Sequence, residues 1–594
     1  MKSIIVDPIK KTDSNSNVLL KQYYHECMNE TKIDKEANKA FKKAIEELGG
    51  WPLLDGSSWN ASNFNWVEWY IKSKELGLPV YGFFRFTRIE TDANYTVLQV
   101  SAQPRLDLNK LDYNLAMKQV LEALGVKDFR KTENEEVFEF IKSVRGLLYP
   151  TEDIESVNTI ENLIKECSFV PWLKILNSFA AHETEFNKSS EVAFSDIQTY
   201  CEQLSDLLDG TSSRTIANYY VWSIIHNMHK FMSRDVRKAY GVIIGKNNDR
   251  YSVCFKEADS RFRYLKETIY VRRKTPEVVK KQLTYMIDLM KETFIEHLKV
   301  CDWMDDITKT AAIEKTELIE NVIGGDEELY DPEKFDEILG LDKFRFTSDN
   351  IFEMAREKRI KETRHFFKTL YGSRGENWGS FFRNAVNLDA YFVQHINLMI
   401  LPAPMLSSIL YDYRAPAFMN YGSIGRVIGH EIMHGFQKTS RKVILDNDKT
   451  IDWWTNATAD AYDEKVKCLI EEYENLPFRY KLNGKLTLDE NISDFVGIDV
   501  AYETYLKYIG IHGTEKKLPG LSLTPEQIFW IQTGTWLCFR KLDDKRIDFE
   551  RENSVHAIPM FRVEGGAKHS KYFAKDFNCP VGSPMNPRKK CRIL

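Results

Sequence analysis

The chain has 594 residues, of which 43% are hydrophobic and 13% aromatic, and its net charge is −5. That length exceeds one hydrophobic core and predicts two or more domains. The near-balanced charge, without a long basic run, argues against nucleic-acid binding. No run of 18 apolar residues occurs, so no membrane-spanning helix is expected. The opening residues, Met1 to Pro8, lack the apolar core of a secretory leader.

Helical apolar spacing recurs over residues 35–48, 113–125, 152–180, 196–240 and 276–322 and predicts a largely helical first half. Within it, His226 and His229 sit in an apolar stretch and read as packing residues. Residues 80–87 and 96–103 predict a hairpin turning through Asp92-Ala93-Asn94. After about residue 365 the pattern changes. Residues 386–406 predict one extended strand that ends at Pro402 and Pro404. Two helices and a Gly/Pro-rich tail follow. The expected class is mainly α with a small β component.

The first of those two helices carries His430-Glu431-Ile432-Met433-His434. Two histidines four apart lie one turn from each other on one helical face, so both imidazoles reach a single metal ion. Glu431 stands beside them, where a carboxylate can take a proton from water at the metal. HExxH is the signature of zinc peptidases and predicts peptide-bond hydrolysis. Ile424, Val427 and Ile428 form the apolar stripe of this helix. Gly425 and Gly429, poor helix formers one turn apart, predict close approach by another backbone.

A catalytic zinc needs a third protein ligand. In the segment from Leu488 to Gly497, Glu490 and Asp494 share a helical face away from Ile492 and Val496. Such a pair can supply one ligand and one group that fixes the tautomer of a ligating imidazole.

VIGHEIMHGF followed by DENISDFVG resembles the neprilysin and endothelin-converting-enzyme family of zinc endopeptidases. The likeness extends through Asp452-Trp453-Trp454, Leu518-Pro519-Gly520-Leu521, Val555-His556, Phe561-Arg562 and Met585-Asn586-Pro587. Near the N-terminus it includes Cys27-Met28-Asn29-Glu30 and Gly49-Gly50-Trp51-Pro52-Leu53. The resemblance implies that His430, His434 and Glu490 bind one zinc ion and that Glu431 is the general base. It further implies that Asp494 orients a zinc histidine, that His556 stabilises the oxyanion, and that Arg562 holds a substrate carbonyl. The implied architecture is two largely helical domains around a central cavity, with a zincin-type catalytic domain. The boundaries expected are a tail over 1–19, a lid domain over 20–270, a helical linker over 271–365 and the catalytic domain over 366–594. Substrates would be oligopeptides cut on the amino side of hydrophobic residues. The alternative is a zinc-binding, peptidase-like protein that captures peptides with little turnover. A zinc aminopeptidase is disfavoured because no Gly-x-Met-Glu-Asn motif stands upstream.

Two departures from the family concern the substrate. Asp389, before Ala390 on the expected substrate strand, stands where the family has Asn, and an ionised carboxylate only accepts hydrogen bonds. Asn387, two residues earlier, is the other candidate for that contact. Arg426, one turn before His430, stands where the family borders its pocket with apolar residues; it narrows that pocket, favours an acidic residue there, or points to solvent. By the same resemblance Cys27 pairs with Cys254 and Cys468 with Cys591. Relatives tie the equivalents of Cys538 and Cys579 to cysteines of an N-terminal segment, so these two are expected to be free, paired with each other or matched to residues outside this sequence. Cys167, Cys201 and Cys301 are expected as buried thiols. Disulfide pairs and six Asn-x-Ser/Thr sequons lean toward an extracellular setting, the absent leader toward the cytoplasm.

Overall fold

A computed structural model describes residues 5–90, 96–102, 113–126, 129–147, 157–195, 197–244, 249–371, 385–406, 409–445, 449–476, 482–535, 537–538 and 544–594. It is mostly helical with small sheets. The chain divides into two compact units, residues 1–266 with 331–380 and residues 267–330 with 381–594. The stretch 271–365, expected as a linker, therefore does not stand alone: its first part belongs to the second unit and its last part to the first. Among the described residues no helix is long and apolar enough to cross a membrane.

In the first unit, helices α1 (Asn15–Met28) and α2 (Glu30–Leu48) are joined by one residue. Asn29 ends the first and caps the second, its side chain accepting from the Lys32 amide. Leu19 and Leu20 are already buried on α1, so the fold starts earlier than the tail expected over 1–19. Strands β1 (Phe84–Glu90) and β2 (Thr96–Ala102) pair antiparallel, as the expected hairpin requires. Its turn lies outside the described residues. Strands β3 (Val157–Thr159) and β4 (Glu191–Ala193) complete a sheet of order β1-β2-β4-β3. The helix expected over 152–180 is thus a strand and two short helices, Ile160–Glu166 and Trp172–Ala180, separated at Pro171.

His226 and His229 lie at the end of α3 (Ser213–Met228) and pack on Tyr240, which stacks on His229 at 4.1 Å. Burial pushes their pKa values down to about 4 and about 3, as suits neutral packing groups. Cys27 pairs with Cys254. Cys167 and Cys201, expected as free thiols, form a second disulfide between the end of one helix and the first turn of another, with Cα atoms 5.5 Å apart.

The second unit opens with α4 (Glu277–Val300). Its sheet has the order β5-β7-β6, from β5 (Glu320–Gly324), β6 (Tyr391–Val393) and β7 (Leu398–Pro402). Residues 320–322, expected as helix, are strand because they pair in parallel with β7. The single strand expected over 386–406 is a tight hairpin. Asn397 takes a left-handed conformation at φ 55° and reverses the chain, while its side chain bonds Lys315 at 2.8 and 3.0 Å. Among the described residues this leaves β6 as an edge strand.

Helix α5 (Arg426–His434) follows a π-helical turn over Tyr421–Gly425. Behind it come α6 (Asn456–Glu474), α7 (Leu488–His512), α8 (Pro525–Thr535) and α9 (Pro559–His569). Ile424, Ile428 and Ile432 are completely buried against Ile492, Ile498 and Phe529. Each such side chain contributes roughly 1.5–3 kcal/mol. The expected close backbone approach occurs at Gly429, where an added Cβ would lie 2.5 Å from the Gly497 carbonyl oxygen. The contact is reciprocal, because a Cβ on Gly497 would lie 2.5 Å from the His430 amide. Gly425 plays no such part: an added Cβ would meet its nearest neighbours, on Tyr421 and Asn420, at 3.5 to 3.6 Å, an ordinary contact distance. Cys468 on α6 pairs with Cys591, while Cys301 is a buried thiol and Cys538 and Cys579 are also free.

Candidate active site

The glycine contact brings α5 and α7 together where both carry polar side chains. His430 and His434 stack along α5 with their Nε2 atoms 3.0 Å apart. From α7, Glu490 reaches in, Oε2 at 3.1 Å from His430 Nε2 and Oε1 at 3.6 Å from His434 Nε2. One donor atom from each residue falls within a 4.8 Å cluster. Both imidazoles are turned by their far nitrogens. His430 Nδ1 lies 3.1 Å from Asp494 Oδ1, and His434 Nδ1 lies 3.1 Å from Gln437 Oε1. The Gln437 nitrogen is used up, donating to the Asp489 carbonyl and to Ser493 Oγ. Its oxygen can therefore only accept, and His434 must carry its proton on Nδ1.

Asp494 anchors the back of the site at 1% exposure. Arg562 from α9 grips it with two prongs, Nε to Oδ2 at 2.6 Å and Nη2 to Oδ1 at 3.0 Å. Arg426 adds a third charged donor, Nη2 to Oδ1 at 3.0 Å. Burial alone would raise the carboxyl pKa, but Arg562, Arg426 and His430 hold it well below the ordinary range. Arg426 is itself 1% exposed and also donates to the Thr533 carbonyl at 2.6 Å and the Arg562 carbonyl at 3.3 Å. One side chain on α5 thus ties α7, α8 and α9 together.

These groups border a cavity of about 520 Å³. One wall is Asp389, Ala390, Tyr391, Phe392 and Gln394, along β6. Another is Met405 and Val427 with the histidine cluster, Glu431, His556 and Arg562. Glu431 is 5% exposed, and its Oε2 has no hydrogen-bond partner among the described residues. Burial, then the neighbouring Glu490 charge, pushes its pKa up to about 7 against His430, Arg562 and His556, which pull it down. A base that titrates near neutrality is suited to proton transfer. His556 places Nε2 3.1 Å from Glu490 Oε2 and leaves half its side chain exposed to the cavity.

The models of peptidase family M13 match residues 1–326 and 389–593. The chain belongs to peptidase family M13. Among M13 relatives it is 29% identical to Neprilysin-2 of Drosophila melanogaster over 100% of this chain and 81% of that protein. It is 27% identical to human endothelin-converting enzyme 1, over 96% of this chain and 76% of that one. In fold it is similar to the Mycobacterium tuberculosis zinc metalloprotease Zmp1 in its open state. The TM-score is 0.78 at 16% identity, covering 100% of this chain and 93% of that one.

The metal that M13 membership implies is zinc, and the donors fit it. With both Nδ1 atoms protonated toward their partners, two imidazole lone pairs and a carboxylate converge at 3.0 to 3.6 Å. Such a group is mutually repulsive without a cation between its members. Without a metal, a proton serves. Burial pulls His430 down, but its hydrogen bonds to Asp494 and Glu490 outweigh this and lift it to about 9. His434 is pushed down to about 4 by burial and by His430. Zinc must displace the His430 proton, so zinc affinity falls roughly tenfold for each pH unit below about 9. Chelator competition across pH 6–10 measures that slope; a flat profile would contradict it.

The candidate site thus gathers His430, His434, Glu490, Asp494, Glu431, His556 and Arg562 into one cluster. Asp389 and Ala390 lie on the opposite wall. Asn387 does not line the cavity: its Oδ1 accepts from the next amide, Leu388, at 2.8 Å. Arg426 borders the cavity but neither points to solvent nor offers its guanidinium to a ligand, because Asp494 and two carbonyls engage it. Gln437 was not anticipated from sequence. Replacing it with Ala frees the His434 ring, and zinc affinity is expected to fall about 10- to 100-fold. Chelator competition at fixed pH checks this, and an unchanged affinity would remove Gln437 from the site.

Proposed function

We propose that the chain is a zinc metalloendopeptidase that hydrolyses oligopeptides on the amino side of hydrophobic residues. The observation that carries this reading is a three-donor cluster beside a buried Glu431, whose Oε2 has no hydrogen-bond partner among the described residues, in a cavity whose far wall is an edge strand. Zinc held by His430, His434 and Glu490 supplies a Lewis acid that polarises the scissile carbonyl and acidifies water. The rest is the work of side chains. Substrate lies along β6 as an added strand, its backbone aligned by Asp389 and Ala390. The side chain after the cut rests on Phe392, Met405 and Val427, which give the cavity its apolar floor. Glu431 Oε2 takes a proton from the attacking water and delivers it to the departing amine. His556, half exposed at the cavity, donates to the oxyanion, and Arg562 donates to a substrate carbonyl from its grip on Asp494. Arg426 acts indirectly, by keeping Asp494 and the Arg562 backbone in register. Three disulfides favour an oxidising, extracellular setting.

Digestion of a mixed peptide pool, followed by mass spectrometry with and without chelator, tests this. Chelator-sensitive cuts before hydrophobic residues are expected. A zinc-loaded protein that binds peptides but leaves them intact would favour the peptide-capturing alternative instead.

A further inference from the structure

Four carboxylates line the cavity: Asp389, Glu431, Glu490 and Asp494. Three are occupied by the chemistry of the site. Asp494 is gripped by Arg562, Arg426 and His430. Glu490 faces both histidines of α5 and His556. Glu431 is buried beside them. Asp389 differs on every count. It is exposed, and it makes no hydrogen bond or ion pair with any described residue. The two arginines that border the cavity, Arg426 and Arg562, are both committed to Asp494. Asp389 also stands two residues before Tyr391, at the entry to the edge strand β6. A peptide laid along that edge passes it.

From this placement we infer that Asp389 selects substrates carrying a cationic group, an ammonium or guanidinium, close to the cleaved bond. The inference rests on the peptidase reading above. The physical reason is that an ionised carboxylate has only acceptors to offer. Against a neutral polar group it gains one hydrogen bond. Against an ammonium or guanidinium it gains a charge-assisted one, which is shorter and stronger. The same charge penalises an acidic residue at that position. Because the carboxylate is exposed, the preference is modest and falls with ionic strength. The cation can be a Lys or Arg side chain, or a free peptide amino terminus.

The test uses the zinc-loaded full chain and a peptide series with one scissile bond. Lys, acetyl-lysine and Glu are walked through three positions on each side of the bond, with the amino terminus free or acetylated. The readout is the ratio of kcat/KM for Lys over acetyl-lysine within each protein, so changes in overall rate cancel. At one position the parent is expected to prefer Lys about three- to fivefold. In Asp389→Asn the ratio falls to near one, and in Asp389→Lys the preference turns toward Glu. If the preference survives acetylation of the amino terminus, the recognised cation is a side chain; if it exists only with a free terminus, it is the terminal ammonium. A parent that cleaves peptides without favouring Lys or a free terminus anywhere overturns the inference and spares the peptidase reading. So does a preference unchanged in Asp389→Asn. Failure to cleave any peptide sinks the peptidase reading and this inference with it.

Discussion

Glu431→Gln is expected to keep its zinc and lose its hydrolysis. The three donors are His430, His434 and Glu490, so one equivalent of metal should remain by elemental analysis. The amide cannot take a proton from water, and general-base losses of this kind are typically about 10²- to 10⁴-fold in kcat. Peptide turnover within tenfold of the parent would show that the base lies elsewhere. The substitution should also act on stability in the metal-free protein. Glu431 titrates at about 7 in the folded chain instead of its ordinary 4.5, because burial disfavours the charge. Its ionisation therefore costs folded-state stability as pH rises from about 4.5 through 7. Metal-free Glu431→Gln should melt higher than the parent at pH 8, and the gap should close below pH 4.5.

Asp494→Asn should be the more damaging substitution to the fold. The native carboxylate compensates two guanidinium groups that are almost wholly buried. Removing one partner of a buried charge pair typically costs about 3–5 kcal/mol, mainly because the stranded charge stays out of water. The His430 ring loses its anionic partner too, so zinc affinity should drop about 10- to 100-fold. Denaturant unfolding of the metal-free protein and chelator competition measure the two effects. Adding Arg426→Met to Asp494→Asn should restore part of the stability, since one stranded cation is gone. A double variant less stable than the single one would refute this account of Arg426.

The candidate zinc donors were legible because helical periodicity puts each pair on one face and the family resemblance joins the two pairs. His430 and His434 share a face whatever they pack against, and so do Glu490 and Asp494. The partners of those donors were not. Gln437 lies beyond the end of α5, and only the Asp489 carbonyl and Ser493, across on α7, turn its amide toward His434. Arg426 could have faced either way, and Asp494 and Thr533, each distant in sequence, decided it. His556 and Arg562 came from family resemblance, since nothing in their local sequence marks them. The β5 strand was read as helix because the apolar spacing of residues 318–323 suits either structure, and pairing with β7 settles the choice. Asn397 hid the β6–β7 hairpin, being a non-glycine residue in a left-handed turn. Cys167 and Cys201 had no counterpart to suggest their bond.

Gly429 and Gly497 press their backbones together one residue from His430 and three from Asp494. The spacing of α5 and α7 is therefore dictated by main-chain atoms, which have almost no freedom to adjust. Packing of this kind holds the nest of donors in place without help from the ion. Stripping the metal should leave a chain still poised to reload, unlike small zinc modules that collapse without it. A single methyl at either glycine would wedge the nest open while leaving every ligand in the sequence.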